Sequence, residues 1–182
     1  MPHAVPTDRR IQNGDVIVID MGCKYDGYCS DMTRTIFVGD VSDDIKRAYD
    51  LVLNNQEMVL KYLNDGENIK NACKMVENSF DINGYNLIHS IGHGVGLSLH
   101  EFPYLSTTKD LILKENMVLT DEPGVYLPGE FGIRIEDTVL ITKYGSILLT
   151  KSGKNYTIIW TWLTLNIKYY SIYLWLFHIT LQ

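Results

Sequence analysis

Cysteine is scarce in this chain: Cys23, Cys29 and Cys73 are the only three among 182 residues. Their number is odd and no C-x-x-C pair occurs, so neither a disulfide framework nor a zinc knuckle is indicated. They are expected as small, free core residues in a reducing compartment. Basic clusters are missing too. The formal charge is −6 and the Lys and Arg residues are scattered, which removes the electrostatic footprint that a nucleic-acid partner demands. The opening Met1-Pro2-His3-Ala4-Val5-Pro6 has no basic stretch followed by an apolar run. It does not look like a signal peptide, and a cytoplasmic location is expected. Low-complexity tracts and internal repeats are absent as well. What remains is ordinary globular composition, 46% apolar and 21% charged, in a chain long enough for one domain that buries roughly 70% of its unfolded surface.

The patterning predicts strands first. Val16-Ile17-Val18-Ile19 is a β-branched run after Asn13-Gly14, and Met32 to Val38 is another, with Asp26-Gly27 between them; together they read as a hairpin. Ser42 is a candidate cap for a helix in which Ile45, Ala48, Tyr49, Val52, Val59 and Leu63 recur at helical spacing up to Asp65-Gly66. A second helix presents Ile69, Ala72, Cys73, Val76 and Phe80 and stops at Asn83-Gly84. Between His89 and Glu101, three glycines break any helical pattern and predict an extended or tightly turning segment. Short strands are expected at Met117–Thr120, Ile133–Ile135, Thr138–Ile141 and Ile147–Leu149. Strands, two helices, then strands indicate an α+β domain. Residues 158–181 stand apart as an aromatic, apolar stretch with Asn166 and Lys168 near its middle. A charge there would cost a membrane span roughly 2.5 to 3.5 kcal/mol, so an appended segment outside the membrane is expected.

Several polar residues sit where strand chemistry disfavours them. Asp20 ends one apolar strand and Asp31, eleven residues on, precedes the next. The hairpin would bring them roughly opposite, where like charges repel unless a cation lies between them. Taken alone, the pair reads rather as two solvated aspartates at strand ends. His89, His93 and His100 crowd into twelve residues beside glycines. The His89/His93 spacing would suit a zincin, but that motif needs Glu directly after its first histidine and this chain has Ser90. Glu122 directly follows an apolar strand and Glu136 sits within another, unfavourable places for a glutamate unless something binds it. Asp20, Asp31, His93, Glu122 and Glu136 together offer four carboxylates and one imidazole. That set suits Mn, Co, Fe or Zn, and four carboxylates can hold two divalent ions.

Five blocks make a resemblance specific. Asp20-Met21-Gly22 is followed by Gly27-Tyr28-Cys29-Ser30-Asp31-Met32-Thr33-Arg34-Thr35 and then by Gly92-His93-Gly94-Val95-Gly96-Leu97 with His100-Glu101. Glu122-Pro123-Gly124 and Arg134-Ile135-Glu136-Asp137 complete the series. In this order they resemble the pita-bread metallopeptidase family, nearest to its Xaa-Pro aminopeptidase and prolidase branch, from residue 2 to about residue 158. The Thr-Arg-Thr block and the short interval from Glu122 to Glu136 resemble that branch more than the methionine aminopeptidases.

The resemblance implies a pita-bread (creatinase/aminopeptidase-like) α+β fold, incomplete at its N-terminus, with a catalytic domain at 1–158 and an extension at 159–182. It implies two divalent ions, Mn foremost. Asp20 would chelate the first, Asp31 and Glu136 would bridge both, and His93 and Glu122 would complete the second. His3, His89 and His100 would line the substrate pocket, with Arg134 and Tyr126 close by to orient the ligands. The implied activity is hydrolysis of the Xaa-Pro bond, at the N-terminus of peptides or in dipeptides, by a metal-bridging hydroxide. Glu122 would shuttle the proton, His100 would stabilise the oxyanion, and His89 would help read the prolyl ring. The expected partner is a peptide with Pro in second position, with no nucleic acid and no membrane, and a homodimer is compatible with the family. Methionine aminopeptidase-like activity, an inactive truncated fragment and a binding-only module are the alternatives.

Overall fold

A computed structural model describes residues 2–3, 8–160, 171–174 and 177–181, the last two stretches as backbone alone. The chain begins with strand β1 (Val16–Gly22), a small ribbon of β2 (Lys24–Tyr25) and β3 (Tyr28–Cys29), and β4 (Met32–Val38). Two helices follow, α1 (Asp43–Leu60) and α2 (Lys70–Ile82). Then come β5 (His93–Gly94), β6 (Glu101–Tyr104), β7 (Val118–Asp121), β8 (Gly124–Leu127), β9 (Phe131–Arg134), β10 (Asp137–Thr142) and β11 (Gly145–Leu148). Beyond them lie β12 (Ile158–Ile159), β13 (Ser171–Leu174) and β14 (Phe177–Leu181).

The expected hairpin forms, with β1 and β4 antiparallel and the β2–β3 ribbon turning at Asp26 and Gly27, both at positive φ. Its register corrects one expectation. Asp20 faces Thr33, and the ladder ends at Met21 and Met32, so Asp31 lies diagonally beyond Asp20 rather than opposite it. Gly22 makes that crossing feasible, because a Cβ there would come within 2.3 Å of the Ser30 carbonyl oxygen.

Helix α1 starts where its cap predicts: Ser42 Oγ accepts from the Ile45 N–H at 3.3 Å, and Asp43 and Asp44 complement the positive end of the helix dipole. It ends at Leu60, earlier than the apolar spacing suggests. Lys61 and Tyr62 donate to Met58 and Val59 in tight turns, and these keep Leu63 pointing into the core although it lies past the helix. Helix α2 ends at Ile82, where Gly84 takes a left-handed φ of +80°.

Both helices bury one face against a single core. Tyr49, Val52 and Val59 of α1 and Cys73, Val76 and Phe80 of α2 meet Leu119, Val139 and Ile141 of β7 and β10 and Val125 and Ile133 of β8 and β9. Each such side chain, fully buried, stabilises by about 1.5–3 kcal/mol. β7 and β10 belong to a five-stranded sheet of order β11-β10-β7-β5-β6, and a second five-stranded sheet runs β12-β4-β1-β14-β13. The helices thus back a curved surface whose strand ends converge, and this is the pita-bread architecture with part of it present. Among the described residues no helix is long and apolar enough to cross a membrane.

One sequence expectation needs adjusting. Cys73 is a buried core residue as expected, but Cys23 and Cys29 are only half-buried, on the ribbon, where Cys23 Sγ contacts Ser30 Oγ at 3.3 Å and Cys29 Sγ points at the Leu97 carbonyl. Ile158 and Ile159 pair in parallel with β4, and β14 pairs antiparallel with Ile19–Gly22 of β1. β13 pairs antiparallel with β14, and residues 161–170, 175–176 and 182 lie outside the described residues.

Candidate metal centre

Five strand ends deliver five side chains to one place. β1 brings Asp20, the β3–β4 junction Asp31, β5 His93, the residue after β7 Glu122, and the link between β9 and β10 Glu136. The glycine-rich segment brings His93 in because Gly92 passes so close to β7 that a Cβ would lie 2.1 Å from the Thr120 carbonyl oxygen. Donor atoms of Asp20, Asp31 and Glu136 lie within 4.8 Å of one another, as do those of His93, Glu122 and Glu136, and those of Asp31, His93 and His100. Glu136 belongs to two of these three-residue groups and so does Asp31, so the two expected bridging positions are geometrically shared.

The histidine shows what the cluster is built to hold. His93 Nδ1 lies 2.9 Å from the Gly94 carbonyl oxygen, which can only accept, so Nδ1 carries the proton. Burial lowers the pKa of His93 and keeps the ring neutral, against the weaker opposing effect of that hydrogen bond. Nε2 is therefore a bare lone pair, and it points at Glu122 Oε1 at 3.3 Å and Asp31 Oδ2 at 3.6 Å. Acceptors at that separation need a proton or a cation between them. Glu136 adds a second sign: Oε2 accepts from Thr33 Oγ1 at 2.6 Å, while Oε1 is buried and meets no partner.

The carboxyl groups report the same frustration. Burial, reinforced by the charges of Asp20 and Glu122 and eased by Arg134, pushes Asp31 up to about 8. Glu122 is raised by burial and by Asp20 against the pull of Arg134. Glu136 is raised well above the carboxylate range by burial and by Glu122, Asp31 and Asp20. Divalent cations would reverse this balance and ionise all three. On the chemistry of its donors, the cluster fits such ions.

A hydrogen-bonded chain runs from the cluster into the pocket. Arg134 Nη2 donates to Asp20 Oδ2 at 2.5 Å, Nε to Thr33 Oγ1 at 3.2 Å, and Nη1 to the Tyr126 hydroxyl at 2.9 Å and the Pro2 carbonyl at 3.2 Å. His89 Nδ1 donates to the Ser90 carbonyl at 2.7 Å, so its Nε2 accepts from the Tyr126 hydroxyl at 3.0 Å. Burial lowers the pKa of His89 and favours that neutral form. His3 is exposed and near enough to His89 to be felt electrostatically. His100 is also exposed, its ring 4.4 Å from that of His93. All of the site residues expected from sequence therefore gather around one centre.

Sequence reasoning missed the supports. Thr120 Oγ1 accepts from the His93 N–H at 2.9 Å and donates to Glu122 Oε1 at 3.2 Å. One residue behind the glutamates, Asp121 and Asp137 face each other across β7 and β10. Asp137 accepts from Arg34 at 2.7 Å, from Lys154 at 3.0 Å and from Gln56 at 3.1 Å. Asp121 is fully buried and neither oxygen has a hydrogen-bond partner; burial and the charge of Asp137 raise its pKa well above the usual range. Arg34 and Asp137 lay inside quoted motif blocks, which was the available signal. Gln56 and Lys154 gave none.

Comparison with known proteins agrees with this geometry. Residues 1–143 match the model of metallopeptidase family M24. The chain is 44% identical over 156 residues to the Xaa-Pro dipeptidase of Pyrococcus furiosus, covering 85% of this chain and 45% of that protein. Its fold superposes on the Xaa-Pro dipeptidase from Bacillus anthracis with TM-score 0.83 at 40% identity, over 87% of this chain and 45% of the other. The X-Pro aminopeptidase from Thermotoga maritima gives TM-score 0.83 at 40% identity, over 87% and 46%. The chain thus spans a little under half the length of the relatives it matches.

Proposed function

Because the chain belongs to metallopeptidase family M24, we propose that it carries the catalytic centre of a binuclear peptidase that cleaves the bond between a residue and a following proline. The observation that carries this is the bare Nε2 of His93 directed at the Glu122 and Asp31 carboxyls, beside a buried Glu136 oxygen with no partner. Asp20, Asp31 and Glu136 would hold one divalent ion, and Asp31, Glu136, His93 and Glu122 the other. Manganese is the first choice, and cobalt, iron or zinc suit the same oxygen-rich set. When bound, such ions supply Lewis acidity, making a bound water acidic near neutral pH and drawing charge onto the scissile carbonyl oxygen.

The chain's own groups divide the remaining work. Glu122 Oε2, which lies 3.9 Å from Arg134 Nε, takes the proton released by the attacking water and returns it to the departing prolyl nitrogen. His100, exposed beside His93, donates to the carbonyl oxygen as charge develops there. Arg134 and Tyr126 hold Asp20 and His89 in orientation, and His89 with His3 lies against the prolyl ring. The names of the relatives, Xaa-Pro dipeptidase and X-Pro aminopeptidase, favour prolyl selectivity over methionine aminopeptidase-like activity. Three free cysteines favour a reducing, cytoplasmic setting. We place the catalytic domain at 1–158, which holds all five candidate ligands, with 159–182 as a C-terminal extension.

The test is metal analysis of the purified chain combined with hydrolysis of matched Xaa-Pro, Xaa-Ala and Met-Xaa peptides. Two ions per chain and strong preference for Pro support the proposal. Cleavage after Met without need for Pro would move the chain to the methionine aminopeptidase reading, and metal without hydrolysis to a binding role.

A further inference from the structure

We propose that Arg34 is a positioning residue that sets the spacing of the two bridging carboxylates, Asp31 and Glu136; this rests on the two-metal reading of the site. Its guanidinium is buried, and all five N–H groups are used. Nε donates to the Gly153 carbonyl at 3.1 Å, and Nη2 to Asp137 Oδ1 at 2.7 Å and the Ser152 carbonyl at 2.8 Å. Nη1 donates to the carbonyl oxygens of Thr33 at 2.8 Å and Glu136 at 2.5 Å. Those last two matter most. Thr33 and Glu136 already touch through their side chains at 2.6 Å, and the Glu136 N–H donates to the Thr33 carbonyl at 3.1 Å. Arg34 therefore ties the main chain of a bridging ligand to the strand that starts at the other bridging ligand. The Asp31 end is tied by the Thr138 hydroxyl, which donates to the Asp31 carbonyl at 2.7 Å.

A buried guanidinium is a costly way to gain stability alone, since apolar packing of similar volume does as well or better. What it supplies is a rigid planar fork whose donors fix several acceptors at set distances, which a lysine ammonium does not. Asp137 balances the charge, and Lys154 and Gln56 occupy its other oxygen, leaving Oδ1 to Arg34. The side-chain alternation along β4 makes the arrangement simple: Thr33 reaches the ligand and Arg34, next in sequence, reaches the backbone behind it.

The experiment titrates the full chain with Mn²⁺, following affinities by calorimetry and spin coupling between the ions by electron paramagnetic resonance. Arg34→Lys is expected to weaken the second ion by roughly 10- to 100-fold and to replace the coupled signal with that of isolated Mn²⁺. Lys154→Met, which removes a partner of Asp137 and Gln56 only, is expected to lower the melting temperature with the coupled signal intact. Unchanged affinities and coupling in Arg34→Lys overturn the proposal, and so does an equal loss in Lys154→Met, which would assign the effect to stability. No coupled pair in the unaltered chain sinks the two-metal reading, and this proposal with it. Should Arg34→Lys not fold, solvent exchange of the Arg34 Nε–H in the unaltered chain decides instead. It should slow on loading with Zn²⁺, and a rate indifferent to zinc contradicts the proposal.

Discussion

Two pairs of acids stand one residue apart at the ends of β7 and β10 and meet different surroundings. Glu122 and Glu136 face the pocket with Asp20, Asp31 and His93, where the protein supplies Arg134 as the nearby cation and leaves a Glu136 oxygen bare. Asp121 and Asp137 face away, and there the protein brings its own cations, Arg34 and Lys154, to Asp137. The difference shows how a site for exchangeable cations is built. Charge on Asp137 is neutralised by the chain's own cations, whereas under the proposed reading charge on the pocket side is left for ions that enter and leave.

The comparison breaks most completely if the pocket acids are removed. Asp31→Ala or Glu136→Ala should abolish bound metal and hydrolysis together, as seen by metal analysis and peptide assay, because each subtracts a ligand both ions would share; two retained ions would refute the assignment. His100→Ala should keep the metal and cost about 10²-fold in turnover. On the outer side, Asp137→Ala strands Arg34 and Lys154 and should cost about 3–5 kcal/mol of folding stability in denaturant titration.

A pH series separates the two sides more gently. In the metal-free chain the carboxyls of Asp31, Glu122 and Glu136 have raised pKa values in the fold. The folded state then holds protons that the unfolded chain has released, so stability falls as pH rises above the ordinary carboxylate range. His89 and His93, lowered in the fold, act in the opposite direction, but only below about pH 6.5, where unfolded histidine is charged. Between that point and about 8, the value for Asp31, the carboxyls act unopposed. Stability should therefore decline across this window without metal, by about 1.4 kcal/mol per pH unit for each net proton, and with metal bound the decline should shrink to the share that the buried Asp121, also raised in the fold, contributes. A metal-free chain that grows more stable across it would contradict the account.

Asp121, buried without a partner, sharpens the contrast from the other direction. Asp121→Val should raise stability by about 1 kcal/mol, since it removes an unpaired polar group of similar volume; a loss would reveal a partner. The smallest effect is expected from deleting residues 161–182, which should leave metal affinity unchanged. A large loss would make the strand beside Asp20 part of the catalytic fold.

The clustering of the candidate ligands was legible because a carboxylate at the end of an apolar strand, or a histidine among glycines, is locally out of place and asks for a reason. The α+β order and both helices followed from periodicity. What could not be read were relations between distant segments. The offset of Asp31 from Asp20 depends on the approach of Gly22 to Ser30. The end of α1 was hidden because tight turns carry the apolar spacing on to Leu63. Nothing in the local sequence marks Gln56 or Lys154, and only the fold brings them to Asp137.

The central claim is that the pocket acids are shaped for two divalent ions while Asp137, behind them, is satisfied by the chain. Calorimetric titration of the metal-free chain with Mn²⁺ at pH 7, repeated in buffers of different ionisation enthalpy, counts ions and released protons together. The account predicts two ions per chain with net proton release, both lost in Glu136→Ala. Binding of no ion, or binding that Glu136→Ala leaves untouched, would contradict it.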